Sequence, residues 1–173
     1  MDFFETLQKR YSSRQYAAQP VESEKIEKLL EAAQRAPAGM HHYQDYGLTV
    51  ISDRKTLDTL CSEYQKVTDS VRDPLYKAPL LIVISAGPGA RSDTFQYDAG
   101  CMMENMHLTA VSLGLGSVFI RGMFRSLESD SQAQKMLQVP ADWKALCGLA
   151  AGYDPAMSNH PAVFHSLPVH RIE

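Results

Sequence analysis

Residues 94–113 read Thr-Phe-Gln-Tyr-Asp-Ala-Gly-Cys-Met-Met-Glu-Asn-Met-His-Leu-Thr-Ala-Val-Ser-Leu, and this stretch decides the fold. On a helix, Met102, Met103, Met106, Leu108, Ala110, Val111 and Leu113 cover most of the circumference. Only Asp98, Asn105, Thr109 and Ser112 form a narrow polar stripe. A helix that is apolar nearly all round needs cover on several sides. A chain of 173 residues can hardly provide that cover alone, so part of this helix is expected to pack against a second subunit. The alternative is a central helix enclosed within one domain.

Working outward, Gly114 and Gly116 end the helix, and a strand is expected over 117–120. A short helix over 130–138 and an apolar strand over 146–153 follow. On the amino-terminal side, residues 80–85 form a continuous apolar run with β-branched members, the pattern of a central strand. Residues 48–51 read as another strand, and 53–66 as a helix that buries Leu57, Leu60, Cys61 and Tyr64. The pattern i, i+3, i+4, i+7 of Ile26, Leu29, Leu30 and Ala33 gives a helix over 23–35, stopped by Pro37. Asp2 and Glu5 mark the start of a first helix over 3–9, with Phe3, Phe4 and Leu7 on one face. The tail from Asp154 reads as extended chain that wraps over something. Helices and strands mix without strict βαβ alternation, so the expected class is α+β. No linker or repeat divides the chain, so one domain is expected over 1–173.

Composition narrows the functions. Hydrophobic residues make up 45% and charged residues 21%, with a formal net charge of -3. That balance is unlike a disordered chain, and it lacks the basic excess of a nucleic-acid binder. The longest strongly apolar run, 79–84, is far short of the roughly 20 residues of a membrane-spanning helix. The amino terminus lacks the basic and apolar regions of a signal peptide. The three cysteines, Cys61, Cys101 and Cys147, are unpatterned and read as small core residues in a reducing compartment. A cytoplasmic location is expected.

Several chemical patterns fail. Gly87-Pro88-Gly89 follows a strand, but Pro88 removes an N–H and Ser92 stands in the third glycine's place of a dinucleotide turn. Gly114-Leu115-Gly116 comes between a helix and a strand, the wrong order for that turn. His160, His165 and His170 are not spaced as metal ligands, so no metal is expected. Cys101 and His107 fall about 240° apart around one helix, too far round to act as nucleophile and base. The positive signal is basic. Lys9, Arg10 and Arg14 flank Tyr11, Ser12 and Ser13 just past the first helix. Forked guanidiniums and hydroxyls suit a phosphate. A basic helix end complementing the macrodipole accounts for the same residues.

The motifs in series carry a resemblance. Arg10-Tyr-Ser-Ser-Arg14 follows an amino-terminal helix, and Ala36-Pro-Ala-Gly39 ends an amphipathic one. Then come Gln44-Asp-Tyr46, Asp98-Ala-Gly100, Asn105-x-x-Leu-x-Ala110, Leu113-Gly-Leu-Gly116 and Ile120-Arg-Gly122. Their order over nearly the whole chain resembles the nitroreductase family of FMN-dependent oxidoreductases.

The resemblance implies an α+β fold with a mostly antiparallel central sheet flanked by helices. It implies an intertwined homodimer with FMN at the subunit interface. By position, Arg10, Tyr11, Ser12 and Arg14 are implied at the FMN phosphate and the flavin's polar edge, with Tyr11 where the family often has a second base. Pro37, Ala38 and Gly39 are implied against the flavin of the partner subunit. His41, in place of the family's usual Asn, and Gln44 belong to the same loop. Arg121 and Gly122 are implied against the flavin ring. His165 or Arg171 is implied to replace the family's basic carboxy-terminal pair. Arg72 is a candidate for the pyrimidine edge.

The implied activity is transfer of hydride from NADH or NADPH to the flavin, then reduction of a small organic acceptor such as a nitroaromatic or quinone. No catalytic side chain is implied, because the cofactor carries the chemistry. A flavin-binding protein without NAD(P)H turnover, and an enzyme that uses FMN as substrate, are the alternatives.

Overall fold

The computed structural model describes residues 1–128, 131–157 and 164–172. In chain order the helices are α1 (Phe3–Lys9), α2 (Ser23–Gln34), α3 (Arg54–Thr68), α4 (Phe95–Ser112), α5 (Gly122–Ser126) and α6 (Ser131–Met136). The strands are β1 (Tyr46–Ile51), β2 (Leu80–Ala86), β3 (Gly116–Ile120) and β4 (Lys144–Gly152). Two 3₁₀ turns, Gly39–His41 and Tyr43–Asp45, join α2 to β1.

The four strands form one sheet in the order β1-β2-β4-β3, antiparallel at every junction. This bears out the expected α+β class and antiparallel sheet. β2 is buried along its whole length, as its unbroken apolar run requires. A core lies on each face of the sheet. One joins α2 and α4 to Leu80, Ile82, Ile84 and Leu149. The other joins α3, α5 and α6 to Leu81, Val83, Val118 and Ala150. Alternation along β2 sends successive side chains to opposite cores.

Local chemistry sets the helix ends. The Asp2 carboxylate accepts from the Glu5 N–H at 2.8 Å, and Asp53 does the same for Thr56 at 2.8 Å. After α4 the chain turns at Gly114, with φ of 73°, a conformation that glycine adopts without a Cβ clash. Gly116 has a different constraint: a Cβ there would lie 2.3 Å from Ser13 Oγ.

Two features of the helices go beyond what periodicity shows, and the second overturns the core reading of Cys101. The apolar face of α1 is bare in the single chain: Phe3 is 63% and Phe4 73% exposed. The polar stripe of α4 is also not its outer face. Asp98 is buried, while Tyr97, Cys101 and Glu104 are exposed. Cys101 is therefore not a core residue, although Cys61 and Cys147 are buried. Periodicity cannot order the faces of a helix that is apolar nearly all round. The buried polar groups on α4 instead find specific partners.

Candidate functional site

The helix α4 carries one anchor near each end, and each holds one group of the predicted site residues, 37–44 at one and 10–14 at the other.

At the first anchor, Asp98 Oδ1 accepts from the Gly39 N–H at 3.1 Å, and Oδ2 accepts from Tyr46 Oη at 2.6 Å. Burial, then the Asp98 carboxylate, pushes the Tyr46 phenol well above its usual range, so it stays a donor. These bonds fix the loop after α2. Pro37, His41 and Gln44 are exposed, Gly39 is half-buried, and Ala38 turns into the protein. Ala38 can thus present backbone but not its methyl group. Met40 and His41 both take left-handed backbone conformations, with φ of 54° and 60°. Side chains other than glycine pay for this region in steric strain. Met40 at the crest is 73% exposed. Behind the loop lies a cleft of 420 Å³ lined by Ala33, Gln34, Tyr43, Tyr46, Leu48 and Met102.

The second anchor is His107. Its Nε2 lies 3.1 Å from the Tyr11 carbonyl. A carbonyl only accepts, so Nε2 carries the proton. Burial, then the nearby Arg10 charge, pushes the imidazole down to about 4, which leaves it neutral at physiological pH. Tyr11 is also held by its side chain, whose hydroxyl donates to Asp154 Oδ2. Burial, then that bond, pushes the Tyr11 phenol up to about 12. Burial would raise the Asp154 carboxyl, but donors from Tyr11 and the Ala156 N–H hold it below its usual value. Ser12 pairs with Ser117 in a parallel bridge, and the Ser13 N–H donates to the Ser117 carbonyl at 3.0 Å.

The segment 10–14 is therefore fastened to β3 and α4, while its cations stay outward. Arg14 is exposed and donates to the Ser12 carbonyl at 3.1 Å. Arg10 approaches Glu104 only to 4.0 Å. β3 runs from Ser117 about 10 Å to Ile120, and Arg121 and Gly122 follow at the start of α5. Both residues are exposed, and Gly122 has open space where a Cβ would stand.

The structure thus brings Arg10, Tyr11, Ser12 and Arg14 together at the edge of β3, the strand that leads into Arg121 and Gly122. It gathers 37–44 at the other end of α4. The two anchors are roughly 13 Å apart along the helix axis. His165 and Arg171 lie on the exposed, irregular segment 164–172. Arg72 is exposed on the loop from α3 to β2. His160 lies outside the described residues. Among the described residues, no group of three or more His, Cys, Asp or Glu is placed to hold a metal. A larger cleft of 670 Å³, between the starts of α2 and α3, includes none of the predicted site residues.

The sequence shows Asp98 in a polar stripe and a motif, and His107 on the same helix, but it gives neither a partner, and it does not single out the Asp154 carboxylate. The available signal was chemical: a buried imidazole or carboxylate on an otherwise apolar helix must find a partner.

The nitroreductase family profile matches residues 7–153. A protein of Archaeoglobus fulgidus named as an inferred NADH dehydrogenase/NAD(P)H nitroreductase is 28% identical over 147 residues, covering 83% of this chain and 80% of its own. Among solved structures, an FMN-dependent nitroreductase of Clostridium difficile is 31% identical, covers 88% of each chain and superposes with a TM-score of 0.74. A nitroreductase of Bacteroides fragilis, solved with bound FMN, matches the fold over 100% of both chains with a TM-score of 0.85 at 23% identity. The antiparallel sheet, the basic segment along β3 and a profile match spanning both anchors of α4 agree, and the chain belongs to the nitroreductase family.

Proposed function

We propose that this protein is an FMN-dependent oxidoreductase, a single domain in each of two subunits. It takes hydride from NADH or NADPH and reduces a small organic acceptor of the nitroaromatic or quinone type. The observation that carries this reading is the basic segment 10–14, fastened at the edge of the strand that leads into Gly122, in a chain of this family.

The donor set fits FMN. Two guanidiniums and the Ser12 hydroxyl suit a dianionic phosphate. The open backbone at Gly122 leaves room for a flat ring beside a peptide N–H. When bound, FMN would supply the two-electron, hydride-accepting chemistry that the chain's own side chains lack. Arg10, Ser12 and Arg14 bind and orient. Arg121 and Gly122 present backbone to the ring. The loop 37–44 covers the ring of the partner subunit's site, and its exposed Met40, His41 and Gln44 border the acceptor.

The bare apolar surface supports the dimer. Phe3, Phe4 and Tyr97 are each more than half exposed in the single chain. Large apolar side chains left bare in this way suit an association site.

One anaerobic titration tests the activity. The purified protein should be yellow, and NADH or NADPH should bleach it without oxygen. Protein that binds no added FMN contradicts the whole reading. Yellow protein that neither nucleotide bleaches is a flavin carrier instead. Net loss of the flavin during turnover makes FMN a substrate. Arg10→Ala is expected to release FMN during gel filtration, and unchanged occupancy removes Arg10 from the site.

A further inference from the structure

We propose that His107 is a positioning residue for the phosphate end of the flavin site: its imidazole N–H pins the Tyr11 carbonyl and so holds Arg10, Ser12 and Arg14 in their binding arrangement. The proposal rests on the FMN reading above.

The argument begins with the economy of α4. Its inner side is packed with Ala99, Met102, Met103, Met106 and Ala110, which need no polar neighbour. His107, 3% exposed, interrupts that side. A buried imidazole costs stability relative to a fitting apolar residue unless its N–H is satisfied. The acceptor it finds is not on α4 or in the sheet. It is the Tyr11 backbone carbonyl, in the middle of the basic segment. One helical turn earlier, Glu104 faces Arg10 at 4.0 Å.

The contact is selective for backbone position. Arg10 and Ser12 flank the pinned carbonyl, so a shift there moves both. A second clamp acts on the same residue, because the Tyr11 hydroxyl donates to Asp154. A third is the Ser13 N–H on Ser117. Three elements, α4, β3 and the turn after β4, therefore fix one short segment whose charged side chains make few bonds themselves. That division suits binding: the backbone is ordered before the ligand arrives, and the guanidiniums remain available. A charged histidine would suit this position poorly, since Arg10 lies close by, and the imidazole is neutral as built.

The test compares FMN with riboflavin, which lacks the phosphate. Affinities are read from flavin fluorescence for wild type, His107→Leu and His107→Gln. Gln keeps a side-chain N–H donor at similar reach. For His107→Leu, FMN should bind about tenfold more weakly, the equilibrium equivalent of one lost hydrogen bond, while riboflavin changes less than about twofold. His107→Gln should recover most of the difference. In the flavin-free protein, amide exchange should quicken at residues 11–15 in His107→Leu and stay unchanged in β2. Equal losses for both flavins, or no loss for either, overturn the proposal. If His107→Leu does not fold, His107→Gln decides alone: near wild-type discrimination between FMN and riboflavin supports the proposal, and its loss in a folded protein overturns it. If wild type binds neither flavin, the FMN reading has failed, and the amide exchange at 11–15 still decides whether His107 holds the segment.

Discussion

The two ends of α4 hold their loops in different ways. Near the amino end a carboxylate, Asp98, receives two donors, and the loop it holds is strained at Met40 and His41. Near the carboxy end a neutral imidazole donates one hydrogen bond to a carbonyl, and the segment it holds is also bridged to β3. The difference teaches how one helix serves two tasks. The basic segment is immobilised through its backbone, which suits a fixed phosphate. The loop 37–44 is held at one point and carries stored strain, which suits a surface that meets changing partners.

The largest expected effect is at the carboxylate. Asp98→Ala leaves the Gly39 N–H and Tyr46 hydroxyl without their acceptor and should cost about 3 kcal/mol in urea unfolding. A loss below about 1 kcal/mol would mean that water replaces the carboxylate easily, and the loop would not be anchored there.

The histidine end has a pH signature. Its folded value, about 4, lies below the ordinary 6.5. Between these values the unfolded chain takes up the proton first. The contribution is therefore complete above pH 6.5 and is lost as pH falls towards 4. Wild-type stability should drop across this window by up to about 3 kcal/mol relative to His107→Leu at the same pH. A constant difference between the two proteins would show that His107 is not buried in its neutral form.

The strained loop gives the smallest effect. Met40→Gly relieves a left-handed non-glycine residue and should stabilise the protein by about 1 kcal/mol. If the strain serves the site, KM for the acceptor should rise while FMN affinity holds. Destabilisation by Met40→Gly would mean that the Met40 side chain packs against something, which in the single chain it does not.

Much of this was legible in the sequence. Helical periodicity marks α2 and α3 because each buries one face with a simple repeat, while an unbroken apolar run marks β2 and apolar residues nearly all round mark α4. Asp2 announces its helix because a cap needs one residue in one place. The short α5 escapes notice, since five residues carry too little pattern. The bare face of α1 was legible as apolar but not as uncovered, because periodicity reports a face and not its partner. The site divides along the same line. Arg10, Ser12, Arg14 and Gly39 stand in recognisable motifs. Their anchors, His107 and Asp98, are defined by contacts to residues 96 and 59 positions away in the chain, and no local pattern encodes those.

The central claim is that each flavin site takes its basic segment from one subunit and its loop 37–44 from the other. The most direct test mixes two inactive proteins. One carries Arg10→Ala and Arg14→Ala. The other carries Gly39→Val, whose side chain would crowd Thr94 and Asp98. Co-expressed, random pairing places one intact site in each mixed dimer, so about a quarter of wild-type NAD(P)H oxidation should return, with matching FMN content. No recovery above the separate variants, in a mixture shown to contain mixed dimers, would contradict a shared site and return both halves to a single chain.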